Sequence, residues 1–222
     1  MAMAMKTEDL ERLITGLIVH DDYREKNPEV DMANVFSIST LAYDAMKQFE
    51  KKMKPNASQP TNFDMFHGKS VHEFIQWRLR KMGFIDEVKL QYVLPYDWGI
   101  EELQNIVLIG HVDLWDPVTG VLIELKSSLW SDRISEYMIR QAAAYAYILR
   151  ALGKNVTQVF IVKVNTRISV YELTDDDITR GWNEIEERAY EVARKLRNEI
   201  LARHIRVDDA TKRLYTAKTY YE

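Results

Sequence analysis

Asp113, Glu124 and Lys126 are the residues of this chain whose types and spacing could do hydrolytic chemistry together. Glu124 and Lys126 lie in Val121-Leu122-Ile123-Glu124-Leu125-Lys126, a run apolar enough to be a buried strand, where two charged residues need a reason. Residues two apart on a strand face one side, so this pair projects together, away from Leu125. Asp113 ends Ile109-Gly110-His111-Val112-Asp113, and Asp116-Pro117-Val118-Thr119-Gly120 reads as a turn. A hairpin across that turn lets Asp113 lie across from the pair. Two carboxylates supply hard oxygen ligands for Mg²⁺ or Mn²⁺, a metal-bound water is a nucleophile, and an ammonium offsets negative charge developing on a phosphate. Together they are a kit for phosphodiester hydrolysis. The bland alternative is a buried Glu–Lys ion pair beside a structural turn aspartate. Glu-x-Lys on a strand is common, so the pair alone does not decide between the two.

The elements that must position these residues follow from the periodicity. Residues 7–20 read as a helix with Leu10, Leu13, Ile14, Leu17 and Ile18 on one face. Residues 21–34 are polar and read as a loop. Ser37 or Ser39 can cap a helix that runs to about residue 54, and residues 55–62 form a second loop. A third helix follows Gly68 and ends near Gly83. Strands are expected over 88–94, 105–114 and 121–125, a long helix over 134–152 stopped by Gly153, strands over 158–164 and 168–173, and a charged helix from 175 to about 204. After residue 207 the chain reads as a tail or a short docked segment. The order gives a mixed α/β or α+β core, with the first sixty or so residues as a helical flap around it. The corresponding division is residues 1–65 as a helical extension, 66–175 as the core, and 176–222 as a C-terminal helix and tail.

Composition narrows the chemistry. The 222 residues contain no cysteine, which excludes disulfides, zinc–thiolate sites and thiolate-ligated iron–sulfur clusters. The net charge of −4 lacks the basic surplus of most nucleic-acid binders, though an acidic metal site can sit beside a local basic strip. No apolar run approaches the ~20 residues needed to span a bilayer. The apolar start, Met1 to Met5, lacks the features of a signal peptide, so a cytoplasmic address is expected. No nucleotide-binding P-loop is present, so any motor would be a separate partner, a helicase or recombination protein.

Gly110-His111-Val112-Asp113 followed by Ile123-Glu124-Leu125-Lys126-Ser127 resembles the core signature of the PD-(D/E)XK nucleases. The closer similarity is to the RecB-type branch, which includes CRISPR-associated exonucleases. That branch carries Gln-x-x-x-Tyr on a downstream helix, matched by Gln141-Ala142-Ala143-Ala144-Tyr145. It also carries Gly and His on a helix before the sheet, matched by Phe66-His67-Gly68-Lys69-Ser70-Val71-His72-Glu73. The resemblance covers roughly residues 67–173 and reaches weakly back to Ser37. It implies a restriction-endonuclease-like core, a central mixed sheet flanked by helices, with an N-terminal helical extension.

The resemblance also implies roles. His72, Asp113, Glu124 and the backbone carbonyl of Leu125 would bind Mg²⁺ or Mn²⁺, Lys126 would assist the water or the transition state, and Gln141 and Tyr145 would steady the site and contact the strand. His67, His111 and Glu73 are weaker candidates. Ser37-Ile38-Ser39-Thr40-Leu41-Ala42-Tyr43-Asp44 resembles the segment where many relatives place the first cysteine of an iron–sulfur cluster, with Tyr43 or Asp44 at that position. The similarity is therefore to a cluster-free relative of viral, plasmid or repair type, in the host cytoplasm if viral, rather than to a CRISPR adaptation protein.

Lys47 and Lys51, with Lys54, recur at helical spacing, as do Arg78 and Lys81. Such stripes could track phosphates, while a solvated helix face is the commoner explanation. Tyr43 and Phe49 are candidates for base stacking. The tail mixes Lys212, Arg213 and Lys218 with Tyr215, Tyr220 and Tyr221, which could stack on bases or dock. The expected activity is a metal-dependent DNA nuclease preferring single strands and free ends, with the N-terminal segment roofing the site. The alternatives are a structure-specific endonuclease of the junction-resolvase type and a non-catalytic DNA-binding subunit. The complete ligand-and-lysine set counts against the latter.

Overall fold

The computed structural model describes residues 33–53, 63–101, 103–127, 133–165, 167–203, 206–207 and 214–215. The helix expected over 7–20, most of the loop before residue 34, the loop over 55–62, the side chain of His67 and most of the tail, including Lys212, Arg213 and Lys218, lie outside these residues, as does Lys54.

A mixed six-stranded sheet flanked by helices forms the centre, and strand β3 (Ile106–Asp116) is its hub. β2 (Ile85–Leu94) runs antiparallel along one edge of β3, from Ile85 opposite Trp115 to Leu94 opposite Ile106. Because β2 takes that whole edge, the other edge is shared. β1 (Val35–Ser37) lies parallel to residues 107–109, and β4 (Val121–Ser127) lies antiparallel to residues 114–116. Between them, residues 110–113 have no strand on that edge. β4 continues in parallel with β5 (Gln158–Val164), and β6 (Ile168–Glu172) closes the far side. The expected hairpin is present, with Asp116 N-terminal to the turn and Gly120 at φ 78°, a left-handed conformation that suits glycine.

β1 corrects the sequence expectation, which placed only loop and helix before residue 63. All three of its residues are buried, so there is no alternation to read, and the strand exists only because β3 offers it an edge. Ser37 caps the following helix as expected, its hydroxyl accepting from Thr40 N at 3.4 Å. That helix is interrupted. Asp44, extended at φ −159° and ψ 113°, separates α1 (Ile38–Tyr43) from α2 (Ala45–Met53) and accepts from Met46 N at 2.8 Å. The described part of the first sixty-five residues thus joins the common core: Ile38, Leu41 and Ala42 are fully buried.

The flanking layer is α3 (Phe63–Arg80), α4 (Glu136–Ala151) and α5 (Asp175–Ala202). α4 is lined with alanines because α5 crosses it closely: a Cβ on Gly181 would stand 2.5 Å from the Ala143 methyl. Tyr147 stacks on Trp182 beside this crossing, with ring centroids 4.2 Å apart. Thr174 and Asp177 form a reciprocal cap that starts α5. The last carbonyls of α1 are held from across the molecule, Ala42 O by Arg140 Nε at 3.0 Å and Leu41 O by Arg188 Nη1 at 2.9 Å. Arg206–Val207 and Leu214–Tyr215 form a small separate antiparallel pair. No described helix is long and apolar enough to cross a membrane.

Candidate active site

Asp113 stands at an irregular point of the sheet. Towards β4 the register stops at Leu114 opposite Ile123. Towards β2 it passes from Asp86 opposite Leu114 to Val88 opposite Val112, omitting the pair between. Glu87, which stands at that omitted position, has φ 51°, a left-handed backbone rare for a residue with a side chain and costing ~1–3 kcal/mol. Side-chain hydrogen bonds gather at this point. Gln76 Nε2 donates to Asp113 O at 3.2 Å and to Glu87 Oε1 at 3.1 Å. The Asp113 carboxylate reaches across to β4, where Oδ2 accepts from Leu125 N at 2.7 Å.

That reach brings Asp113 to the Glu124–Lys126 pair. Lys126 Nζ donates to Glu124 Oε1 at 2.5 Å and to Gln141 Oε1 at 3.0 Å, and Gln141 Nε2 donates to Tyr145 Oη at 3.0 Å. Gln141 and Tyr145 sit one turn apart on the same face of α4, both buried. Tyr145 is accommodated by Gly110: a Cβ there would lie 2.7 Å from the tyrosine Cε1. His72, on α3, places Nδ1 3.8 Å from Asp113 Oδ1. His72, Asp113, Glu124, Lys126, Gln141 and Tyr145 are therefore in one connected neighbourhood.

The charges in this neighbourhood are unbalanced. Burial, and then the Asp113 charge, push the Glu124 carboxyl up to about 8. Burial also raises Asp113, against the opposing pull of Lys126, His72 and the Leu125 amide. Burial alone would lower Lys126, but the Glu124 and Asp113 carboxylates outweigh it and keep the ammonium charged. Burial lowers His72 against the pull of Asp113, which favours the neutral imidazole that can act as a ligand. One ammonium thus faces two carboxylates, and Glu124 Oε2 is buried without a hydrogen-bond partner.

An orphaned carboxylate oxygen next to a second carboxylate suits a hard divalent cation. Among the described residues, no three His, Asp or Glu side chains are already gathered on one coordination point. Lys126 holds one oxygen of Glu124, and His72 stands beyond bonding distance of Asp113. The donor types fit a cation, while the full ligand set is not closed around one.

Gln76 and Glu87 are the site residues that sequence reasoning missed. Gln76 had a readable signal, since it lies four residues after His72 on the same helix face. Glu87 had none, because its place depends on the register of β2 and on its unusual backbone. Of the proposed nucleic-acid contacts, Lys47 and Lys51 are both exposed on α2, Lys51 with its ammonium 3.3 Å from Thr40 Oγ1. Tyr43 is exposed on α1, whereas Phe49 is partly buried and packs against the core. Arg78 and Lys81 both approach the Trp77 ring.

No family model matches the chain, and no curated protein matches it. Solved structures do. The chain is similar to the protein SSO0001, with a TM-score of 0.50 at 16% identity over 84% of this chain and 88% of that one. It is similar to a candidate exonuclease from Eubacterium rectale, with a TM-score of 0.52 at 15% identity over 93% of this chain and 95% of that one. It also aligns with an alkaline exonuclease, LHK-Exo, from Laribacter hongkongensis, at a TM-score of 0.46 and 14% identity over 78% of this chain and 94% of that one. At these identities the likeness is one of fold.

Proposed function

We propose that the protein is a Mg²⁺- or Mn²⁺-dependent DNA nuclease that prefers single strands and free ends. The observation that carries this is the meeting of Asp113, Glu124 and Lys126 at the gap in the β3 edge, with Glu124 Oε2 left orphaned in a buried, acid-rich pocket. A Glu–Lys pair kept only for structure would have no need of a second, largely shielded acid beside it. Asp113, Glu124, His72 and the Leu125 carbonyl are the proposed ligands. A divalent cation held there would supply Lewis-acid chemistry, activation of water and offset of phosphate charge.

The remaining steps belong to the chain. Lys126 presents its ammonium to the phosphate and offsets charge that develops there. Gln141 fixes the direction of that ammonium, Tyr145 fixes Gln141, and the bare Gly110 backbone makes room for Tyr145. Neutral His72 completes the ligand types. The exonuclease-type name of the Eubacterium rectale fold relative agrees with this assignment but does not carry it.

The test is a cleavage assay on end-labelled linear single strands, circular single strands and blunt duplex, at equal nucleotide concentration, with Mn²⁺, Mg²⁺ or EDTA. Cation-dependent degradation of linear single strands is expected, faster than that of blunt duplex. Activity unchanged by EDTA would overturn the metal assignment. Rapid cutting of circles would move the assignment to an endonuclease, and equal or faster cutting of blunt duplex would remove the single-strand preference.

A further inference from the structure

The Gln141–Tyr145 pair is the inner part of a longer stripe. Tyr137, Gln141 and Tyr145 recur every four residues on α4, so they share one helical face. Exposure rises along it: Tyr145 is 2% exposed, Gln141 7%, and Tyr137 is half-buried. Lys126 donates to Gln141 in the middle of the stripe, and the Tyr137 phenol one turn upstream also acts on its charge. The stripe reaches solvent at Tyr43, which is 55% exposed and meets the Tyr137 ring edge to face, with centroids 5.4 Å apart and planes at 76°. Lys47 Nζ stands 4.5 Å from the centre of the Tyr43 ring.

Tyr43 is exposed and yet held in place. It is the last residue of α1, and the two carbonyls before it are bound by Arg140 and Arg188. A fixed aromatic face offers contact area with little ordering cost on binding. Together these features make a rigid aromatic surface, with a lysine over it, that leads out of the Lys126 site.

We propose that Tyr43 and Tyr137 form a stacking ledge for the nucleobase next to the scissile phosphate of a single-stranded nucleic acid, with Lys47 on the adjoining phosphate. The proposal rests on the nuclease assignment of the Lys126 site. Any base offers a π-face to such a ledge, so recognition is tolerant of sequence. A duplex hides those faces in its own stack, so the ledge favours an unpaired strand.

The test uses the full chain carrying Asp113→Asn, so that a bound strand is not cut, and a fluorescent oligodeoxythymidine of about 12 nucleotides read by anisotropy. Tyr43→Ala should weaken binding about 5- to 150-fold, the equivalent of ~1–3 kcal/mol for one stacked base. Tyr43→Trp should restore it, and Tyr137→Phe should leave it intact. Lys47→Ala should weaken binding and reduce its salt dependence by close to one phosphate contact.

An abasic nucleotide moved along the strand should erase the difference between Tyr43 and Tyr43→Ala at one or two positions, which a merely structural role would not do. Binding unaffected by Tyr43→Ala, or an equal loss for every abasic strand, would overturn the ledge. Cleavage by the wild-type chain alongside Tyr43-independent binding would sink the ledge and keep the nuclease. Tyr43-dependent binding by a wild-type chain that cuts nothing would do the reverse.

Discussion

Asp113 and Asp116 lie three residues apart on β3, at opposite ends of the same short pairing with β4, and their surroundings differ in kind. At the turn end, Asp116 accepts from the Thr119 hydroxyl and from Val118 N, and those donors hold its carboxyl below the usual range. At the open end, Asp113 is raised by burial beside a second carboxylate, and it lies just beyond the last residue of β3 that pairs with β4. A carboxylate satisfied by its own turn is a piece of architecture. One that is largely shielded, crowded by like charge and left next to an orphaned oxygen is a donor set that the proposed cation would complete. The difference lies not in residue type or in position along the strand, but in whether local donors complete the coordination.

The sharpest way to break this comparison is to neutralise each aspartate in turn. Asp113→Asn should lower kcat by up to about 10³-fold, the upper end of what losing a preorganised charge-stabilising group costs. The metal-free protein should keep or raise its Tm, because one of two crowded acids is removed. Asp116→Asn should leave kcat unchanged and lower Tm through the turn. The measurements are single-turnover cleavage and thermal denaturation. Comparable activity losses in the two variants would remove the distinction.

Lys126→Ala should come next. Turnover of bound DNA should fall about 10²- to 10³-fold with little change in affinity, since the ammonium acts on the transition state. The metal-free fold should lose ~3–5 kcal/mol, because buried Glu124 and partly buried Asp113 lose their counter-ion. Urea denaturation in EDTA and single-turnover kinetics check both parts. A loss of affinity with turnover intact would make this lysine a phosphate anchor instead.

The smallest effect is on pH dependence, and it sharpens the contrast. Glu124 moves from an ordinary 4.5 up to about 8 in the folded state, so the native protein binds that proton more tightly than the unfolded chain does. The associated stability is fully present below about pH 4.5 and is lost as pH rises through about 8. Asp116, lowered, has the opposite sign: its contribution is present above 3.8 and is lost as pH falls. In EDTA, Tm should therefore decline from pH 5 to pH 8 in the wild-type chain and decline less in Glu124→Gln. Mn²⁺ should reverse the decline. A wild-type slope equal to that of Glu124→Gln would refute the crowded-acid account.

Much of this was legible in the sequence, for identifiable reasons. The hairpin announced itself through Pro117 and Gly120, and the Glu124–Lys126 face through strand alternation. The alanines between Gln141 and Tyr145 signalled a close neighbour, which proved to be Gly181. What could not be read depended on partners distant in sequence. β1 is too short to show a period, and only the unfilled edge of β3 makes it a strand. The break at Asp44 sits inside a helical pattern that continues on both sides. Tyr43 and Phe49 look alike in sequence, and only packing tells the exposed ring from the partly buried one. Glu87 entered the site through a backbone angle that no composition encodes.

The arginine clamps on α1 also set a schedule. Ala42 is bound by a residue 98 positions later and Leu41 by one 147 positions later. A ribosome delivers the chain from its N-terminus, so Tyr43 emerges long before the groups that fix it. At about 5–20 residues per second, the wait for Arg188 is roughly 7–30 s. Throughout that interval the nascent chain already carries the tyrosine and Lys47 but has no rigid surface to present them on. The ledge proposed above is therefore complete only once α5 has been made and docked.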